Sequence, residues 1–224
     1  MSRPYFDYIP NFEYVDRTRE GQSISDYTVV KNLFKRGQLR QDIFGDLTFF
    51  TKYKVIGDER PDNIAYDVYG DQNYDWVVML SNNIMNLETE WPWSEQAFNN
   101  YLLDKYGSYE KIYETKDYET NEITDSTGRL IVRKGLVVPQ DFSITFYDTG
   151  LQQMVTRGST FPVSNFEFEN RINDAKRNIF LLKPIYLSVI IDDIEETMPY
   201  IPGSTQYVSD KLVRGNNIRL YPES

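Results

Sequence analysis

Neither cysteine nor histidine occurs anywhere in the 224 residues. Without cysteine there are no disulfides, no thiolate nucleophiles and no zinc–sulfur sites. Without histidine the chain loses the commonest general base, proton shuttle and transition-metal ligand. Ser-His-Asp triads, HExxH zinc sites and histidine-based iron sites are all excluded, so an enzyme here would have to run on carboxylates, Lys, Tyr or a hard metal ion. Neither GxGxxG nor GxxxxGK[ST] occurs, which removes the familiar Gly-rich phosphate loops. Apolar runs such as 179–182 and 187–191 fall far short of the ~20 residues that span a bilayer. The start, Met1-Ser2-Arg3-Pro4-Tyr5-Phe6-Asp7, lacks the apolar stretch of a signal peptide, which predicts a protein that stays in the cytoplasm where it is made. The expectation is a protein with no catalytic residues and no cofactor.

What is present is acidic and aromatic. Net charge is −10. Residues 58–126 hold 16 acidic against 4 basic side chains, whereas the first fifty carry seven of each sign. An acidic middle argues against nucleic acid, which is bound by neutralising phosphates, and against anionic membranes. It suits a solvated face or one that docks on a basic partner.

Residues 1–47 read as an N-terminal arm. Tyr5, Phe6, Tyr8, Ile9, Phe12, Tyr14 and Val15 sit among Pro4, Pro10 and polar residues without a sustained period. Such a segment suits an extended strand in another protein's groove or, equally, packing onto its own domain. Ser25 or Asp26 is placed to cap a short helix running toward Leu33-Phe34. Residues 47–56 alternate as a strand broken by Gly57-Asp58. Pro61 then opens a helix with Ile64, Ala65 and Val68 on one face and Gly70 as its C-terminal cap. A second helix beginning at Asp71 or Asn73 buries Trp76, Val77 and Leu80 and closes near Asn82-Asn83. Ser94 caps a third helix, stapled by Trp93 and Phe98 and ended by Gly107.

Beyond it the pattern predicts antiparallel strands at 109–115, 129–132, 136–138 and around 142–146, then a linker or loop over 147–164. A helix is expected over 165–178 and a strand over 179–182. A closing helix from Lys183-Pro184, with Tyr186, Ile190 and Ile194 every four residues, stops at Pro199. The tail after Tyr200 is expected to be extended, with one strand at 217–221. The domain reading is residues 1–47 as arm, 48–150 as a domain with an inserted helix and a β-rich extension, and 151–224 as linker, C-terminal helices and tail. The fold class is α+β. Both arms are expected to order only on assembly, because each has too little periodic apolar content for its own core.

The order of motifs is distinctive. Gly57-Asp58, Ile64-Ala65, Tyr69-Gly70 and Asn82 or Asn83 follow the LysM pattern of strand, helix, helix, with one extra residue before Ile64. The wider series, Arg60-Pro61, Ile64-Ala65, Tyr69-Gly70, Trp76-Val77-Val78-Met79-Leu80, Asn82, Trp91-Pro92 and Lys105-Tyr106-Gly107, resembles the LysM-containing baseplate wedge subunit of contractile-tailed bacteriophages. So do Tyr5-Phe6 with Ile9-Pro10, and the block from Asn173 to Pro184. The resemblance implies a structural protein of the virion that joins neighbouring wedges of the baseplate ring around the tail tube. Its implied partners are other wedge subunits, the neighbouring wedge and the sheath initiator, met in the host cytoplasm during assembly. The LysM-like core residues are then Ile64, Ala65, Val68, Tyr69, Trp76, Val77 and Leu80. Candidate partner contacts are Tyr5, Phe6, Phe12, Arg60, Trp91, Asp192 and Glu196.

Two sharper readings compete. A LysM module binds N-acetylglucosamine polymers, here through 58–60 and 83–87, but the second loop runs into an extra helix, and the strand-like 134–139 lies some fifty residues late to close the motif. Glu88, Glu90, Trp91, Trp93 and Glu95 pair carboxylates with aromatics as glycosidases do, yet capping explains that arrangement. Asp192, Asp193, Glu195 and Glu196 are oxygen ligands in type, without the loop spacing of a Ca²⁺ site.

Overall fold

A computed structural model describes residues 3–15, 27–203 and 206–214. It is α+β, and it divides into two compact units: residues 1–90 with 178–224, and residues 91–177. The boundaries expected at 47/48 and 150/151 do not coincide with this division. The first unit is discontinuous in sequence, and the second is an insertion within it.

The first unit is built on a strand–helix–helix–strand core. Strand Phe50–Lys54 pairs antiparallel with Asn178–Leu182, Phe50 opposite Leu182 and Lys54 opposite Asn178. Val137–Val138, within 134–139, pairs instead with Thr115–Thr120. Between Phe50–Lys54 and Asn178–Leu182 come helices Pro61–Tyr69 and Asp75–Ser81. Pro61 loses nothing at the first helical position, where its missing N–H would have no helical partner. Gly70 stops the helix at φ +80°, its N–H donating to the Tyr66 carbonyl, a backbone state that costs a residue without Cβ little.

The second helix ends where the sequence placed its end, and two asparagines make that end specific. Asn83 takes a left-handed conformation at φ +53°. The Ile84 N–H reaches back to the Met79 carbonyl at 2.9 Å and the Asn83 N–H to Leu80 at 3.1 Å, a Schellman closure. Asn82 turns its amide to the closing strand. It donates to the Phe180 carbonyl at 2.8 Å and accepts the Phe180 N–H at 2.7 Å. The Tyr69 hydroxyl donates to the Leu182 carbonyl at 3.0 Å, and burial pushes its pKa well above the ordinary phenol value.

One apolar cluster gathers Trp76, Val77 and Leu80 with Phe50, Leu182 and, from the helix Leu187–Thr197, Ile190 and Ile194. Ile9 and Ile43 belong to the same cluster. The Tyr5 and Tyr8 rings lie 6.0 and 5.7 Å from the Trp76 ring. The N-terminal segment is thus part of the core, and the partner-ordered arm is corrected for its described residues. Tyr5–Tyr8 is a short helix and Asn11–Val15 a strand. That strand runs parallel to Leu212–Arg214, which pairs with Tyr207–Ser209, and antiparallel to Tyr27–Lys31. Segments 11–15 and 207–214 thus meet in one four-stranded sheet, where Arg214 pairs with Glu13 at 2.6 Å.

The helix expected from Ser25 or Asp26 toward Phe34 is, over its described part, the strand Tyr27–Lys31 followed by a turn, because Tyr27-Thr28-Val29-Val30 is β-branched and aromatic. Its proposed caps lie outside the described residues, as does the strand expected at 217–221.

In the second unit, helix Glu95–Tyr106 begins as read: Ser94 Oγ accepts the Ala97 N–H at 3.2 Å and the Trp93 and Phe98 rings are 6.3 Å apart. The strand expected at 109–115 is instead the helix Tyr109–Tyr113, because Ser108 caps it by accepting the Lys111 N–H. The loop expected over 147–164 carries strands Gln153–Arg157 and Thr160–Ser164. The first forms a hairpin with Ile144–Asp148, the second a sheet with Thr115–Thr120 and Val137–Val138. Its Gly, Ser and Thr mark the turns between strands rather than a linker. Asp148, fully buried, organises one turn by accepting from the amides of Ser126, Gly150 and Leu151 and from the Ser126 hydroxyl. Helix Asn165–Lys176 opens with a reciprocal Ser164–Glu167 cap. It buries Glu169, which accepts from Lys105 Nζ at 2.7 Å and from the Tyr106 and Tyr101 hydroxyls at 2.9 and 3.2 Å. Burial works to raise that carboxyl, and these donors outweigh it, holding its pKa below the ordinary value.

Candidate partner-contact surface

The residues singled out from sequence separate into core and surface. Trp76, Val77 and Leu80 share one cluster with Tyr69 against it; Ile64 and Ala65 are fully buried outside that cluster, and Val68 is half-buried. The rings on Trp76 are those of Tyr5 and Tyr8.

Among the candidate contacts, Tyr5 is half-buried and its hydroxyl accepts the Gly37 N–H at 2.9 Å. Phe12 is half-buried beside Tyr14. Trp91 is 6% exposed, which takes it out of the accessible set. Arg60 is exposed and paired with Asp62 at 3.1 Å. Asp192 and Glu196 lie one turn apart on the solvent side of the closing helix. Neighbouring Glu195 and Asp193 hold Arg3 and Arg40, each at 3.4 Å. Among the described residues no group of acidic side chains is arranged to hold a metal ion. None of their helices is long and apolar enough to cross a membrane.

Phe6 alone of the expected aromatic contacts stays largely in solvent, at 57% exposure. The structure sets beside it residues that sequence reasoning missed. Phe6, Leu33, Met79, Ile84 and Met85 line a groove of about 240 Å³ over Trp76 and Leu80. Leu33 is 69% and Met85 71% exposed. Its charged lining residues are the cations Lys35 and Arg36.

Leu33 and Phe34 stand in the turn after strand Tyr27–Lys31, and the turn is tightly held. The Lys35 N–H donates to the Asn32 carbonyl at 3.0 Å and the Phe34 N–H to Asn32 Oδ1 at 3.1 Å. Asn32 Nδ2 donates to the Tyr200 hydroxyl at 2.7 Å, while Lys35 Nζ caps the closing helix at the Met198 and Pro199 carbonyls. Burial lowers the Lys35 pKa. A rigid turn thus presents Phe34 at 98% exposure. The signal was in the sequence: Asn is favoured at the first turn position, and apolar residues between it and Gly37 have no core to serve.

Residues 4–131, more than half of the chain, match the family model described as base plate wedge protein 53. The curated proteins contain no match. A fold held together by its own packing, with apolar side chains fixed in solvent and a family match of this kind, defines a structural component of a phage tail base plate. The chain belongs to the base plate wedge protein 53 family. Its place is the virion tail, among other base plate proteins, and its family role is structural. The matched span contains Phe6, Leu33, Phe34 and Met85 but ends before Asp192 and Glu196.

Proposed function

We propose that this protein joins neighbouring wedges of the base plate ring around the tube of a contractile tail, through contacts made by its discontinuous unit. The Leu33-Phe34 turn carries this reading. Turn positions normally go to Gly, Asn, Asp, Ser or Pro, yet here two large apolar side chains are held outward by four hydrogen bonds from a buttressed frame. Exposed aromatics on rigid supports are the usual anchors of protein interfaces. The partners are the other wedge subunits, the adjacent wedge and the sheath initiator, met in the host cytoplasm before the virion is complete.

The strand–helix–helix–strand core, with its antiparallel pair Phe50–Lys54 and Asn178–Leu182 tied to the second helix by Asn82, supports kinship with LysM domains. A glycan-binding role draws no such support. In 58–60, Glu59 is committed to the Tyr53 hydroxyl and the Ile56 N–H. In 83–87, the Met85 and Asn86 amides are taken by Glu90.

The test is reconstitution. Purified wedge subunits are mixed with wild-type or Phe34→Ser protein, and rings are counted by electron microscopy. Phe34→Ser should leave single wedges intact and abolish their closure into rings. Rings at wild-type yield would refute joining through this turn.

A further inference from the structure

The groove beside that turn has a shape and charge that specify its occupant. Its volume, about 240 Å³, exceeds the roughly 150 Å³ that suffices for benzene in an engineered protein cavity. It is large enough for one bulky apolar side chain and too small for a whole helix. Leu33, Phe6 and Met85 on its rim are mostly exposed, so an entering side chain would bury surface on both partners.

Lys35 and Arg36 are the charged side chains that line the groove, in a chain whose net charge is −10. Lys35 is engaged at the helix end, so the usable cation is Arg36. Its guanidinium donates to Asn83 Oδ1 at 3.3 Å and forms no ion pair among the described residues. Glu90 lies within electrostatic reach, but its carboxylate is occupied by the Met85 and Asn86 amides. A guanidinium has five donors in a planar fork matched to a carboxylate.

We infer that this groove receives a segment of another base plate protein carrying a bulky apolar side chain next to an Asp or Glu, with the carboxylate on Arg36. The inference rests on the base plate role and specifies the partner chemistry that the proposed joining would use.

The experiment is a binding screen of the full chain against overlapping peptides of about 15 residues, spanning the other base plate proteins of the same phage. Peptides that bind should carry Leu, Ile, Met or an aromatic beside an acidic residue. Their affinity should fall at least about tenfold in Met85→Asp and in Arg36→Glu, as for central interface residues, and be largely retained in Arg36→Lys. Met85 is exposed and Arg36 half-buried with a hydrogen bond to Asn83, so melting temperatures should stay near the wild-type value, and measuring them separates lost binding from lost folding. No bound peptide, bound peptides lacking an acid, or Arg36→Glu binding at wild-type strength would each overturn the proposal. A Met85-dependent dimer in sedimentation would also overturn it, by making a second copy the occupant. If the screen fails while Phe34→Ser still blocks ring closure, the groove assignment falls and wedge joining stands.

Discussion

Trp76 is the residue on which the first unit and its N-terminal segment both depend. It is 2% exposed, carries the Tyr5 and Tyr8 rings, and packs in the cluster that includes Ile9, Leu182 and Ile194. Truncating a buried Trp to Ala costs about 3–5 kcal/mol. The two ring contacts add roughly 0.5–1.5 kcal/mol each beyond buried area, which places Trp76→Ala toward the upper end. For a unit of this size that lowers the melting temperature on the order of 10–20 °C. Trp76→Phe makes a sharper test. The indole N–H has no acceptor among the described residues, and a buried unpartnered donor costs about 1–3 kcal/mol. Phe removes that cost while leaving a smaller ring, so the two changes oppose and the net effect should stay within about 1 kcal/mol. Guanidinium denaturation followed by circular dichroism measures both variants. Amide exchange should quicken across Tyr5–Tyr8 and Ile9 in Trp76→Ala and not in Trp76→Phe. Equal destabilisation by Phe and Ala, or an N-terminal segment whose exchange ignores Trp76, would refute the argument.

Asn82→Ala strands the N–H and carbonyl of Phe180, and should cost about 2–4 kcal/mol in urea denaturation; Asn82→Asp, which keeps the acceptor, should cost less. Asp125 is held well below the ordinary carboxylate range and Asp148 is lowered too, first by the Thr127 and Ser126 hydroxyls respectively and then by backbone amides. Their contribution to the 91–177 unit is complete above the unfolded carboxylate pKa of about 3.9 and is lost as pH falls toward the depressed folded values. Melting temperature should therefore be flat from neutrality to about pH 5 and drop below about pH 4, and Asp148→Asn should remove part of that drop. Replacing residues 91–177 by a short Gly/Ser linker should leave a soluble first unit with a cooperative melt; loss of the cooperative transition would refute its independence.

The local grammar of the chain was readable because its helices carry their own stop and start signals. Pro61, Gly70, the Asn82-Asn83 pair, Ser94 and Gly107 stand where the structure ends or begins each element. The Ile190–Ile194 stripe lies on the buried face of its helix. Long-range pairing was not readable. Asn178–Leu182 looks like any short apolar strand, and nothing local says that its partner is Phe50–Lys54, more than a hundred residues earlier. The nearer short strand, Val137–Val138, pairs instead with Thr115–Thr120. Ser108 was passed over as a cap because Tyr109, Ile112 and Tyr113 also suit a strand, and five residues are too few for a period to decide.

The surface was harder to read for a related reason. Aromatics spread along a Pro-containing segment have the same composition whether a partner or the chain's own core receives them. Tyr5, Tyr8 and Ile9 face inward because Trp76 and the closing helix supply the other half of their packing. Phe6, one residue from Tyr5, faces outward because a helical turn places neighbours about 100° apart. Leu33 and Phe34 show the converse: Asn32, Lys35 and Tyr200 spend their hydrogen bonds on the frame of the turn and leave its tip apolar and exposed. A fixed apolar tip of this kind is therefore found less by its own hydrophobicity than by the polar residues that hold it still. In the proposed contact, ordering the turn before docking would lower the entropy cost of binding.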